Sequence, residues 1–435
     1  MKENIKTTRL ENGLMILTEK MPDVRSATIG FWFKKGSRHE PEALNGISHF
    51  IEHTVFKGTE KRTALDIAIE SDKLGGNFDA FTSHESVGFA MKVVDKQLPK
   101  AFDLLADMLV NPTFDAKELR REQRVIVEEM KMVEDSPEDY LGEIFQREFF
   151  PNHPLGLPIE GTRKTVRSFN QEVTRNFHAQ VFQPKNLVIA VAGNVEHAEI
   201  EKLAAEFFDV PSSRFKVSGS NSKTWNLELE TLNSPLIAAP IILKKKRELE
   251  QAHLILATPW IESKSEKRYV AHLLESVLGS GTSSRLWQSI REKRGLAYSV
   301  GASGISFEDC GIFTIYAGTS PKQFGEVVDL SIAELKKIKR DGVTIDELNL
   351  AKEQTIASIL LGLEDSGARA ANLANQEITF ETQISLDETL QKIEAVNADE
   401  IQAIAREFFQ TENMALVALG NLNGLKIERD RLDVN

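Results

Sequence analysis

Ile47-Ser48-His49-Phe50-Ile51-Glu52-His53-Thr54 reads as a turn and a half of amphipathic helix. In that conformation His49 and His53 stand one above the other at i and i+4, with Glu52 beside them at i+3. Two neutral imidazoles can ligate a divalent cation, and a carboxylate left unligated next to them can accept a proton from water. The plainer alternative is a pair of partly exposed histidines on a helix face.

The stretch recurs. His49-Phe50-Ile51-Glu52-His53 lies over His272-Leu273-Leu274-Glu275-Ser276 at an offset of 223 residues. Phe182-Gln183-Pro184-Lys185-Asn186-Leu187 lies over Phe409-Gln410-Thr411-Glu412-Asn413-Met414 at an offset of 227. Gly88 answers Gly311, and Glu122-Gln123 answers Glu353-Gln354. The chain is thus two copies of one α/β unit, with expected domains at 1–215 and 236–435 and a polar linker at 216–235. In the second copy Ser276 replaces the second imidazole, so that half is expected to be metal-free, with His272 and Glu275 as ordinary helix residues.

Within the first copy, Asn12-Gly13 suits a hairpin turn between short strands, and a strand follows over 27–33. The motif helix is expected over about 44–56. Thr63 and Asp66 form a capping box for the next helix, which stops at Gly75-Gly76. Strands are expected over 77–83 and 87–94, then a helix over 98–110, then a longer one from Asp115 to about Glu134.

The 435 residues favour two domains over one. A composition of 41% hydrophobic and 27% charged residues reads as globular, and no apolar run reaches the roughly 18 residues of a membrane span. The first residues lack a secretory or organellar pattern, so a cytoplasmic protein without a membrane partner is expected. The lone Cys310 excludes an internal disulfide and a thiolate metal site, leaving His and carboxylate as ligands. A net charge of −12 argues against nucleic acid and is compatible with basic peptides, or simply with a solvated acidic surface.

Two imidazoles leave a catalytic metal one protein ligand short. The helix after Asp115 offers Glu118, Glu122, Glu128, Glu129 and Glu134, of which Glu122 and Glu129 lie two turns apart and share a face. H-x-x-E-H, the reverse of the commoner H-E-x-x-H, followed 76 residues later by Glu with another Glu seven before it, resembles the pitrilysin/insulinase (M16) family of zinc metallopeptidases. The similarity is to its half-length branch, which includes the mitochondrial processing peptidases. Phe56-Lys57-Gly58-Thr59, His153-Pro154-Leu155-Gly156 and Gly161-Thr162 extend the resemblance over the first copy.

The resemblance implies His49, His53 and Glu129 as ligands of one Zn2+ per chain, Glu52 as the base, and Glu122 as a supporting carboxylate behind them. Otherwise Glu122 would be a solvated helix residue. His153 then structures its loop. Gly76 to Ser83 resembles an edge strand that takes substrate as an added strand, with Asp79, Ala80 and Phe81 as its contacts. Asp79 stands where the family commonly has Asn, which removes an amide donor. His84 is expected in solvent. Arg291 and Tyr298 resemble the family's Arg/Tyr pair, which stabilises charge at the scissile carbonyl. Without the resemblance they would read as a surface helix residue and a strand-start aromatic. The glycines at 279 and 281 fit no P-loop.

The implied fold is α+β: two homologous α/β-roll domains, each a mostly antiparallel sheet with helices packed on it, forming one bowl-shaped half of a clamshell. The implied activity is zinc-dependent endopeptidase cleavage of unfolded peptides of modest length in an enclosed chamber. A homodimer is implied because the zinc motif and the Arg/Tyr pair occur in one chain. The alternatives are a non-catalytic core subunit of the same fold, or the active subunit of a heterodimeric processing peptidase.

Overall fold

The computed structural model describes residues 3–208, 235–422 and 424–435. The expected linker at 216–235 falls outside them, apart from its last residue.

The first sheet has six strands, β1 (Ile5–Arg9), β2 (Met15–Lys20), β3 (Ser26–Phe33), β4 (Asn77–Thr82), β5 (Val87–Val94) and β6 (Leu187–Gly193). Their spatial order is β1-β2-β6-β3-β5-β4. The second sheet has five: β7 (Ile241–Lys245), β8 (Ala252–Trp260), β9 (Ala297–Ser306), β10 (Gly311–Thr319) and β11 (Ala415–Gly420), ordered β7-β11-β8-β10-β9. Apart from β1 the two orders are the same. In each sheet one pair is parallel, β2 with β6 and β7 with β11, and the remaining pairs are antiparallel. The α+β class and the internal repeat are therefore both present in the topology.

Five helices of the first copy matter below: α1 (Ile47–Thr54), α2 (Ala64–Leu74), α3 (Leu98–Val110), α4 (Ala116–Asp135) and α5 (Pro137–Phe149). The Thr63/Asp66 capping box opens α2. Asp115 opens α4 by accepting from the backbone N–H groups of Lys117 and Glu118 at 2.8 and 3.2 Å. The motif helix is shorter than its sequence pattern suggests, because short 3-10 turns at Glu42–Leu44 and Val55–Lys57 take up its ends.

The two compact units are not contiguous in sequence. One comprises Met1–Lys131, Leu157–Leu232 and Leu360–Ser385, and the other Met132–Gly156, Asn233–Ile359 and Leu386–Asn435. The cause lies in β6 and β11, which are apolar and buried along their whole length. Such strands need a cover on both faces. On β6, Leu187, Ile189 and Val191 enter the core with α1 and α3, while Val188, Ala190 and Ala192 meet Ala370, Leu373 and Ala374 of the late helix Ser366–Phe380. On β11, Leu416 and Ala418 face one core, while Ala415, Val417 and Leu419 meet Leu141, Ile144 and Phe149 of the early helix α5. Each sheet is thus covered by a helix from the other half of the sequence, and the units cut across the boundary expected near residues 216–235.

Polar contacts fix the late helix on the first sheet. Arg369 pairs with Glu19 in the interior, and the Thr28 and Ser366 hydroxyls are 2.8 Å apart. Asp365 caps the helix through the N–H groups of Gly367 and Ala368. Among the described residues no helix is long and apolar enough to cross a membrane.

Candidate functional site

On α1 the apolar Ile47, Phe50 and Ile51 recur at i, i+3 and i+4 and are buried, as is Thr54 at i+7, whose hydroxyl donates to the Phe50 carbonyl, and Phe50 packs on Phe169 at 5.3 Å. That leaves His49, Glu52 and His53 together on the other, half-exposed face. Gly46 starts the helix at φ +94°, and a Cβ there would lie 2.5 Å from the Glu160 carbonyl oxygen, so only glycine allows this close backbone approach.

Glu40 holds the same helix end. Its carboxylate accepts from the backbone N–H of Gly46 and of Ser48, each at 2.7 Å, which suits the positive end of a helix. Burial nevertheless pushes its pKa from 4.5 to about 7, against the pull of those two N–H groups. The folded chain therefore holds this proton more tightly than the unfolded chain, and the stabilisation it gives, present below about pH 4.5, is lost as pH rises through about 7. The loss is on the order of 3 kcal/mol. Urea unfolding at a series of pH values should show this slope in the wild type and a flatter one in Glu40→Gln; equal slopes would exclude it.

Ligand atoms of His49, His53 and Glu129 all lie within 4.8 Å of one another. The two imidazole rings stand edge to face with centroids 4.6 Å apart. His53 has its Nδ1 3.5 Å from Glu122 and its Nε2 3.5 Å from Glu129. Glu122 is buried and also bonds Lys57 Nζ at 3.0 Å. A carboxylate on one imidazole nitrogen orients the ring and leaves the other nitrogen for a cation. Glu128, the neighbouring alternative to Glu129, points to solvent and pairs with Lys131 at 2.8 Å.

The donor set fits a divalent metal. Burial and the nearby His53 lower the His49 pKa to about 4, which keeps that imidazole neutral. Its Nδ1 is buried without a hydrogen-bond partner. Burial works to depress His53 as well, but the bond to Glu122 and the charges of Glu129 and Glu52 outweigh it and raise its pKa. Carboxylates that favour a proton there would favour a cation more strongly. Two imidazoles and one carboxylate, with no fourth protein ligand in the cluster among the described residues, match a zinc site with an open position.

Glu52 is held by Thr82, whose hydroxyl donates to it at 2.5 Å. Burial raises its pKa, the Thr82 bond and His53 oppose this, and Glu129 and Asp79 add to the rise. Thr82 ends β4, which is an edge of its sheet with one side unpaired by any described strand. On it Asp79 and Phe81 are exposed and Ala80 is half-buried.

Four further placements differ from, or add to, the sequence reading. His84 is buried rather than solvated, with Nδ1 3.0 Å from the Ser37 hydroxyl. His153 lies in its loop, where Nδ1 accepts from the Leu155 N–H. In the second copy Glu275 accepts from the Trp260 indole at 2.8 Å, while His272 is exposed. Arg291 lies with its Cζ 3.9 Å from the Trp287 ring centroid and 5.0 Å from that of Tyr298, and Tyr298 is 78% exposed. Thr82, Lys57 and Trp287 had no assigned role in the sequence reading. Thr82 carried a signal, since it shares a strand face with Phe78 and Ala80 at a period of two, and so did Trp287, four residues before Arg291.

The fold and the cluster together define a two-copy α+β chain that has, among the described residues, one candidate cation site, in the first copy. Residues 15–163 match the model of the insulinase family (peptidase family M16), and residues 168–355 match that of the M16 inactive domain. The chain belongs to this family. It is 38% identical to the uncharacterized zinc protease YmxG of Bacillus subtilis over 95% of this chain and 98% of that one. It is 36% identical to an uncharacterized zinc protease of Rickettsia bellii over 98% and 100%. Two solved structures share the fold. A protease from Helicobacter pylori has a TM-score of 0.85 at 22% identity and covers 96% of this chain and 100% of its own. A peptidase M16 inactive domain from Pseudomonas fluorescens has 0.87 at 19%, covering 98% and 100%.

Proposed function

We propose that the chain is a zinc-dependent endopeptidase that hydrolyses unfolded peptides of modest length. The observation that carries this reading is the convergence of His49, His53 and Glu129 ligand atoms within 4.8 Å, with Glu52 unligated beside them. Relatives named zinc proteases along nearly the whole chain support the choice of metal. In this reading residues 1–215 form the catalytic domain, and 236–435 a metal-free one, in line with Ser276 in place of a second imidazole.

When bound, zinc would acidify water and polarise the scissile carbonyl. Glu52 takes the proton from the attacking water and passes it to the leaving amine, a role suited to a carboxylate whose pKa is raised by burial. Glu122 keeps the His53 ring oriented. The open side of β4 takes the peptide backbone as an added strand, with Asp79, Ala80 and Phe81 beside it. Arg291 and Tyr298 bond the carbonyl oxygen as charge develops, and Trp287 restrains the guanidinium. We assign these two residues to the site of a second copy, in a homodimer that encloses the substrate.

The test is metal analysis of the purified chain alongside turnover of a quenched peptide with and without chelator. A single zinc per chain is expected, with turnover abolished by chelator and restored by Zn2+. A chain that binds zinc but cleaves no peptide in a library would favour the non-catalytic core-subunit reading. Cleavage unaffected by chelator would overturn the metal assignment.

A further inference from the structure

The face of α4 that carries Glu122 and Glu129 is used by the site above. Roughly half a turn round the helix, Arg120, Arg124, Glu128 and Lys131 line a cleft of about 860 Å3, whose other wall supplies Arg163 and Arg167 from the helix Arg163–Ser168. The whole cleft lies within the first compact unit.

Four guanidinium groups and one ammonium converge here in a chain of net charge −12. The one carboxylate in the wall, Glu128, is already paired with Lys131. Among the described residues, the guanidinium groups of Arg124 and Arg167 make no hydrogen bond or ion pair. A solvated helix stripe would not explain a second wall of the same sign. The spacing of the walls is set from below: Gln123 Nε2 donates to the Phe169 carbonyl at 2.8 Å, Phe169 is buried against Phe50, and Thr162 caps the short helix. A cleft lined by one sign of charge focuses the field and concentrates counter-ions. Planar guanidinium forks match phosphate oxygens two at a time, and this volume suits a small ligand. An extended nucleic acid would leave the cleft and meet the acidic remainder of the surface.

We propose that this cleft binds a small oligophosphate. The inference does not rest on peptidase activity. It is tested by calorimetric titration of the full chain with tripolyphosphate, and with a hexaglutamate peptide as the carboxylate counterpart. Tripolyphosphate is expected to bind, with affinity falling as salt is raised. The double variant Arg124→Glu/Arg167→Glu should bind at least about tenfold more weakly, with circular dichroism and melting like wild type. The milder Arg124→Gln/Arg167→Gln should give a smaller loss in the same direction. His53→Ala should bind as wild type does, which separates the cleft from phosphate chelating a metal at the other face. Absence of binding, full affinity in both double variants, loss in His53→Ala, or equal affinity for hexaglutamate would each overturn the assignment.

Discussion

Glu52→Gln is expected to retain zinc and to lose peptide hydrolysis by about 10²–10⁴-fold, the usual contribution of a positioned acid or base. Gln keeps the size of the side chain, and its amide oxygen can still accept the hydroxyl of Thr82, which donates to Glu52 in the wild type. What disappears is the ability to hold a proton. Because Glu52 is not among the clustered ligand atoms, metal content should be unchanged. The measurements are zinc content and turnover of a quenched peptide on the same preparation. Turnover within a few-fold of wild type would remove Glu52 from the role of base. Loss of zinc along with activity would make it a ligand instead.

His53→Ala should have the opposite signature: zinc content falls to background and activity falls with it. His53 is the residue through which the site is assembled, since one ring nitrogen faces Glu122 and the other Glu129. Without the imidazole, two of the three proposed ligands would remain, and the carboxylates Glu122 and Glu129 would lose the ring that lies between them. Glu122→Gln supplies the graded comparison. It leaves all three ligands and only weakens the orientation of one, so metal affinity should fall by about 10–100-fold rather than vanish. Metal content after dialysis against a buffered zinc series distinguishes the two cases. A His53→Ala chain that still holds one zinc at wild-type affinity would end the assignment of the cluster as the metal site.

Local features were legible along the chain. Helix Leu98–Val110 has the limits its apolar pattern and the following Asn111-Pro112 indicate. Thr63 and Asp66 cap as their spacing suggests, and His49, Glu52 and His53 share a face because an i, i+3, i+4 pattern on a helix allows nothing else. The two-copy architecture was legible too, because repeated strings preserve repeated strand orders.

Contacts across sequence distance were not legible. His84 looked like a solvent residue after a strand, and its burial follows from Ser37, which approaches from another loop. Nothing near Glu40 indicates that its carboxylate ends in the first turn of α1.

By itself, then, the order of amino acids determined which residues share a helix or strand face, the caps of helices such as the one that Thr63 opens, and that one unit occurs twice. The tertiary structure alone decided which sheet each amphipathic helix covers. Leu141, Ile144 and Phe149 announce an apolar face on α5, as Ala370, Leu373 and Ala374 do on Ser366–Phe380. Hydrophobic burial is non-directional, so such a face specifies that it must be covered and leaves the identity of the partner to shape and to a few polar ties such as Arg369 with Glu19.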